Sequence, residues 1–135
     1  MAKLDADMQS LVRRTILCFA ATINGDGSPN LSPKSTLIVH DDDHLLFANI
    51  ASPRTVANLR LDPRIEINCV DIFSRRGYRF TGHASVRSAG DPIYNEFAAA
   101  LRTELPHPRC RACQGAFCQT NSFTRLRLCR GRDGN

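Results

Sequence analysis

Residues 15–50, TILCFAATINGDGSPNLSPKSTLIVHDDDHLLFANI, decide the fold. Thr15 to Ile23 is apolar and β-branched, and it ends at Asn24-Gly25-Asp26-Gly27, residue types that accept the positive φ of a tight hairpin turn. The return segment Pro29 to His40 carries Pro33, which cannot donate a ladder hydrogen bond and so marks a bulge or an edge. Asp41-Asp42-Asp43 supplies the next turn, and His44 to Ile50 reads as another strand.

Working outward, Ser52-Pro53 reads as an N-cap followed by proline at the first helical position, which predicts a helix from Pro53 to Leu61. Its Val56 and Leu59 would pack downward, with Arg54 and Arg60 left to solvent or a ligand. Arg64 to Val70 and Tyr78 to Val86 carry strand patterns on either side of a polar corner, Asp71 to Gly77. On the N-terminal side, Asp7 to Arg14 predicts a short helix with Asp7 able to cap it and Met8, Leu11 and Val12 on one side. Asp91-Pro92 repeats the cap signal for a helix through about Leu105, with Ile93, Phe97, Ala100 and Leu101 at helical spacing. Short strands with Gly-rich turns and few helices predict a mainly β, antiparallel small barrel, since a doubly wound sheet needs a helix after nearly every strand.

The 135 residues suit one globular domain. The formal charge of +5 is uneven: residues 1–103 hold twelve basic and eleven acidic side chains, residues 104–135 six and two. A near-neutral body gives no reason to expect a nucleic-acid groove, which leaves nucleic acid as the weakest partner class. The opening MAKLDADMQS lacks a signal peptide's apolar core, so the expected location is cytoplasmic. No apolar run approaches the roughly 20 residues that span a bilayer. Cys18 and Cys69 stand alone in apolar runs and read as buried thiols.

Arg54 and Thr55 fall in the first turn of the predicted helix, where free backbone N–H groups, a hydroxyl and a guanidinium can hold a phosphate. Lys34, Ser35 and Thr36 lie on a facing strand, and Arg75, Arg76 and Arg79 surround the start of a later one. His40 and His44 flank the triple-aspartate turn, a pair better read as surface histidines than as metal ligands. His83, inside a strand, reads as a sheet residue. There is no Ser-His-Asp spacing, no HExxH and no P-loop, so no catalytic residue is assigned and no metal is expected.

The combined order of GDGSPNLSPK, SPRTVANLRLDPR and FSRRGYRFTG between Phe19 and Ala84 resembles the pyridoxamine 5'-phosphate oxidase-like flavoproteins. That resemblance implies the FMN-binding split barrel and a homodimer with a cofactor in each of two interfacial clefts. Carried over by position, Arg54 and Thr55 would hold the FMN phosphate, while Lys34, Ser35 and Thr36 would run beside the ring and ribityl chain. Ala48 and Asn49 would lie at the cofactor-facing end of their strand, with Asn58 and Arg79 as further cleft residues. The family implies an oxidoreductase acting on a small organic substrate or electron acceptor. Users of the deazaflavin F420 are an alternative, as is a flavin-binding module without turnover.

Two departures bear on activity. Oxidase members have an Arg-Gln pair where this chain has Arg76-Gly77, and their later substrate-holding Arg and His residues have no counterpart, which argues against pyridoxamine phosphate oxidation itself. The barrel is expected over residues 1–106, followed by an atypical basic, Cys-rich tail over residues 107–135. Cys110, Cys113, Cys118 and Cys129 supply four thiols but only one CxxC pair, so zinc is a lesser reading than a partly ordered tail with one strand from Phe123 to Cys129, added at a barrel or dimer edge. A shifted reading frame would also account for the abrupt change in composition.

Overall fold

The first hairpin closes as its residue types require: the Asn24 N–H donates to the Ser28 carbonyl at 2.9 Å, and Gly27 sits at φ 84°. It joins β1 (Cys18–Ile23) to β2 (Pro29–Lys34). The computed structural model describes residues 3–50, 52–104 and 114–127. The remaining elements are α1 (Ala6–Arg14), β3 (Ile38–Val39), β4 (His44–Asn49), α2 (Pro53–Leu61), β5 (Arg64–Asp71), β6 (Arg76–Arg87), α3 (Pro92–Glu104) and β7 (Gln114–Arg127).

The strands form one seven-stranded sheet in the order β2-β1-β5-β6-β7-β4-β3, antiparallel throughout. The predicted return segment thus splits, and its two halves become the two ends of the sheet. Pro29 and Pro33 are tolerated in β2 because an edge strand needs ladder bonds on one side only.

The tail strand differs most from expectation. It begins at Gln114, well before Phe123, and pairs with β6 on one side and β4 on the other, so it is internal to the sheet and not an edge addition. Between Thr81 and Gly82 of β6 the register shifts because β7 carries one extra residue, Asn121, a bulge that bends β7. Cys110, Cys113 and Cys129 lie outside the described residues, and with them the zinc reading.

Inward residues of β1, β4, β5 and β6 make the main core, with Ala20, Leu45, Phe47, Ile67 and Phe80 at 0% exposure and Leu11 and Val12 of α1 covering one end. Strand β4 is buried on both sides: Leu45 and Phe47 face that core, whereas Leu46 and Ala48 pack with Phe97 of α3. The cap of α1 is Asp5, whose carboxylate accepts from the Met8 N–H at 2.8 Å; the helix begins one residue earlier than predicted, so Asp7 falls inside it. Asp7 instead accepts hydrogen bonds from Arg76 and the Tyr78 hydroxyl, pinning α1 to β6.

Candidate functional site

Lys34, the last residue of β2, turns its side chain inward and is buried. Its ammonium donates to Ser32 Oγ at 2.9 Å and Ser52 Oγ at 2.7 Å, and lies 5.8 Å from the centroid of the Phe47 ring. Among the described residues it has no carboxylate partner, and burial pulls its pKa below the ordinary lysine value of 10.5, an effect that the neighbouring Cys18 sulfur partly offsets.

The Ser52 hydroxyl therefore does not cap α2, and among the described residues no side-chain cap is present. Val56 N–H reaches the Ser52 carbonyl only at 3.4 Å, so the first turn of α2 keeps N–H groups free for an anion. Arg54 is exposed beside this turn, and Thr55 is buried beneath it with Oγ1 at 3.5 Å from Asn30 Nδ2. An open pocket of ≈ 320 Å³ lies here, lined by Ser32, Ser52, Pro53, Arg54, Thr55 and residues of β2.

Asn49, at the end of β4, is 7% exposed, and neither its Nδ2 nor its Oδ1 has a hydrogen-bond partner among the described residues. Both ends of a buried amide left unmet is a costly arrangement, and it stands four residues before the uncapped helix. Next to it, the Ala48 N–H donates to Thr36 Oγ1 at 2.9 Å, which fixes the chain between β2 and β3 against β4. Ser35 and Thr36 also line a second pocket of ≈ 640 Å³ that runs between α1, β3 and α3 and takes in Arg13, Glu96 and Phe97.

Two of the expected residues have partners of their own within the chain. Asn58 points into the barrel end, where its Nδ2 donates to Thr22 Oγ1 at 3.0 Å and Asn24 Oδ1 at 2.9 Å, a tie between α2 and the first hairpin. The buried face of α2 is accordingly Thr55, Asn58 and Leu59, not Val56 and Leu59. Arg79 lies on the outward face of β6 and pairs with Glu66 at 2.8 Å. The arginine group does not converge: Arg75 sits at the β5–β6 turn with φ 55°, and Arg76 is bound to Asp7. His44 Nδ1 lies 2.7 Å from Asp41 and 2.8 Å from Asp43, contacts that close the β3–β4 turn.

A serine before Pro53 signals a cap locally; only the fold brings Lys34 within reach of Ser52. Gly77 is a second residue whose role is spatial, since a Cβ there would lie 2.7 Å from the Cys69 carbonyl oxygen and 3.1 Å from Val70 Cγ2. No larger residue fits without displacing β5.

Residues 4–109 match the family model of pyridoxamine 5'-phosphate oxidase. The chain belongs to that family. Among curated proteins, none matches it in sequence. Solved structures of similar fold include HupZ of Group A Streptococcus, at 23% identity and TM-score 0.78 over 92% of this chain and 94% of that one. A putative pyridoxamine 5'-phosphate oxidase from Lactobacillus delbrueckii is 21% identical with TM-score 0.74, over 92% and 95% of the two chains. An FMN-binding protein from Syntrophomonas wolfei is 18% identical with TM-score 0.72, over 90% and 85%. At these identities the likeness is one of fold, and this pyridoxamine 5'-phosphate oxidase-like chain is a mainly antiparallel split barrel with three short peripheral helices.

Proposed function

We propose that this chain is an FMN-binding flavoprotein that works as an oxidoreductase on a small organic substrate or electron acceptor. The observation that carries the reading is the uncapped first turn of α2 beside the unpartnered buried amide of Asn49. An N-terminal turn with free N–H groups and Arg54 alongside suits a phosphate, and the family supplies FMN as the phosphate ester. Bound there, FMN would supply hydride or single-electron transfer between a reductant and the acceptor.

The chain's own part is to bind and orient. Arg54, Thr55 and the α2 amides would take the phosphate, while Ser35, Thr36 and Ala48 would line the cleft. Asn49 offers one donor and one acceptor to a polar ring edge. Lys34 brings a positive charge that favours an electron-rich ring. Gly77, with no space for a side chain, keeps the reading away from pyridoxamine phosphate oxidation itself.

A homodimer is part of this reading. The outward residues of the first hairpin form an apolar row, Phe19 opposite Pro33, Ala21 opposite Leu31 and Ile23 opposite Pro29, with Phe19 and Leu31 at 40% and 66% exposure. A second copy packed on that row would bury it and bring its own outward face, including Arg79, toward the cleft. No helix among the described residues is long and apolar enough to cross a membrane. The buried free thiols of Cys18 and Cys69 support a cytoplasmic location.

The test is a visible spectrum of freshly purified full-length protein, followed by release of any chromophore and titration with FMN and with F420. Bound FMN, or FMN uptake with a flavin spectrum, is expected. Uptake of F420 alone would replace the cofactor, and absence of both would overturn the reading. Steady-state reduction by NADH or NADPH with an added acceptor then distinguishes an oxidoreductase from a carrier, which would show only stoichiometric flavin chemistry.

A further inference from the structure

Cys18 of β1 and Cys69 of β5 are far apart in sequence and directly opposite in register, both free thiols facing the barrel interior at 2% and 0% exposure. Cys18 has a second neighbour in the same row, since Lys34 of β2 is its register partner on the other side. A row of ammonium, thiol and thiol thus crosses three adjacent strands. The neighbouring Cys69 thiol and the Lys34 charge favour the Cys18 thiolate against the cost of burial, while the proximity of Cys18 and burial push the Cys69 thiol up. The two sulfurs are therefore unlike, one suited to attack and the other to resolve.

Geometry is close to what a bond between them requires. Directly opposed residues on antiparallel strands hold their Cβ atoms about 4.5–5.5 Å apart, and a disulfide needs about 3.5–4.5 Å, so β1 and β5 would close by roughly 1 Å. Lys34, the neighbour of Cys18 in this row, is held by Ser32 and Ser52, which line the open pocket beside α2; the two cysteines themselves do not line it.

We propose that Cys18 and Cys69 are a peroxide-oxidisable thiol pair that closes a reversible cross-strand disulfide inside the barrel. In the first step the Cys18 sulfur attacks one oxygen of hydrogen peroxide. An S–O bond forms, the O–O bond breaks, and the departing hydroxide takes the Cys18 proton and leaves as water. In the second, the Cys69 sulfur attacks the Cys18 sulfenic acid; the S–S bond forms, the S–O bond breaks, and the hydroxyl leaves as water with the Cys69 proton. Two thiols and one peroxide give one disulfide and two waters. The strain of drawing two paired strands together makes this disulfide easy to reduce, the character of a reversible modification and not of a structural bridge. The proposal does not require a bound flavin, and it shares Lys34 with the proposed cleft.

The experiment treats the native full-length chain with hydrogen peroxide, alkylates the remaining thiols in denaturant and maps the peptides by mass spectrometry. The expected product is a peptide pair linking Cys18 to Cys69, two hydrogens lighter than the thiols and lost on treatment with dithiothreitol. Peroxide added in 6 M urea should give at least about tenfold less of that link relative to other pairings, because the register is gone. In the full-length Cys69→Ser variant, dimedone should trap Cys18 as the sulfenic acid. If Cys18 and Cys69 are both recovered alkylated, or if they are linked chiefly to tail cysteines, the proposal fails, and the wild-type map gives that answer without any variant.

Discussion

The ammonium of Lys34 donates to the hydroxyl of Ser52 at 2.7 Å, so the residue that introduces α2 is held by the edge strand β2 and leaves the helix it precedes uncapped. A cap of this kind is worth about 1 kcal/mol, and its absence here coincides with the free N–H groups and Arg54 on which the anion reading depends. Burial of Lys34 without an acid is a second cost at the same place. Both costs fall where the cofactor cleft is proposed.

Replacement of Lys34 by Met separates those roles. A buried lysine held only by hydroxyls contributes little to stability, so Lys34→Met is expected to unfold thermally within about 1 kcal/mol of the wild type at neutral pH, or above it. Its FMN affinity is expected to fall about tenfold. The pH dependence carries the sign: burial lowers the folded-state pKa below 10.5, the unfolded chain then binds more protons than the folded one, and wild-type stability rises as pH increases toward 10.5. Urea unfolding across that range should show the slope in the wild type and its loss in Lys34→Met.

For Arg54→Ala the contrast is between ligands. Arg54 is exposed and makes no core contact, so stability should stay within about 0.5 kcal/mol of wild type. Loss of one charged hydrogen bond to phosphate should weaken FMN about tenfold or more while leaving riboflavin, which lacks the phosphate, unchanged. Parallel fluorescence titrations with the two flavins measure this; equal weakening of both would remove Arg54 from the phosphate site.

Asn58→Ala should behave as a stability variant. The lost amide serves both Thr22 Oγ1 and Asn24 Oδ1 beneath α2, so the expected cost is about 1–3 kcal/mol in urea unfolding. FMN affinity measured on the folded fraction should be little changed. A large loss of affinity with full stability would return Asn58 to the cleft.

At the far end of α2, Asp62 accepts hydrogen bonds from the side chain and backbone of Arg64, and these hold its carboxyl at about 2 against an ordinary 3.8. A depressed folded-state pKa stabilises above the ordinary value and is lost as pH falls from 3.8 through about 2. An NMR titration of the Asp62 carboxyl should find that midpoint, and Arg64→Ala should move it back toward the ordinary range. A midpoint already ordinary in the wild type would refute the pairing.

Much of the fold was legible locally. The Asn24 to Gly27 turn, the Ser52-Pro53 helix start and the strand patterns on either side of Asp71 to Gly77 each rest on φ preference, a missing N–H or alternation, which act over a few residues. The site was legible in part. Lys34 reaches Ser52 at the pocket that Arg54 and Thr55 line, whereas Thr36 holds Ala48 and lines the second pocket, and the sequence order does not distinguish these from Asn58, whose amide goes to the first hairpin, or Arg79, which pairs with Glu66.

What residue order dictates here is the set of elements, because turn chemistry and periodicity are short-range. Tertiary structure alone decides that Ser52 serves Lys34 and not α2, that Cys18 meets Cys69, that Gly77 must lack a Cβ and that the tail strand lies between β6 and β4. Each depends on strand order and register, which a chain settles only by closing its sheet around a common core, where distant residues become neighbours through burial and ladder pairing.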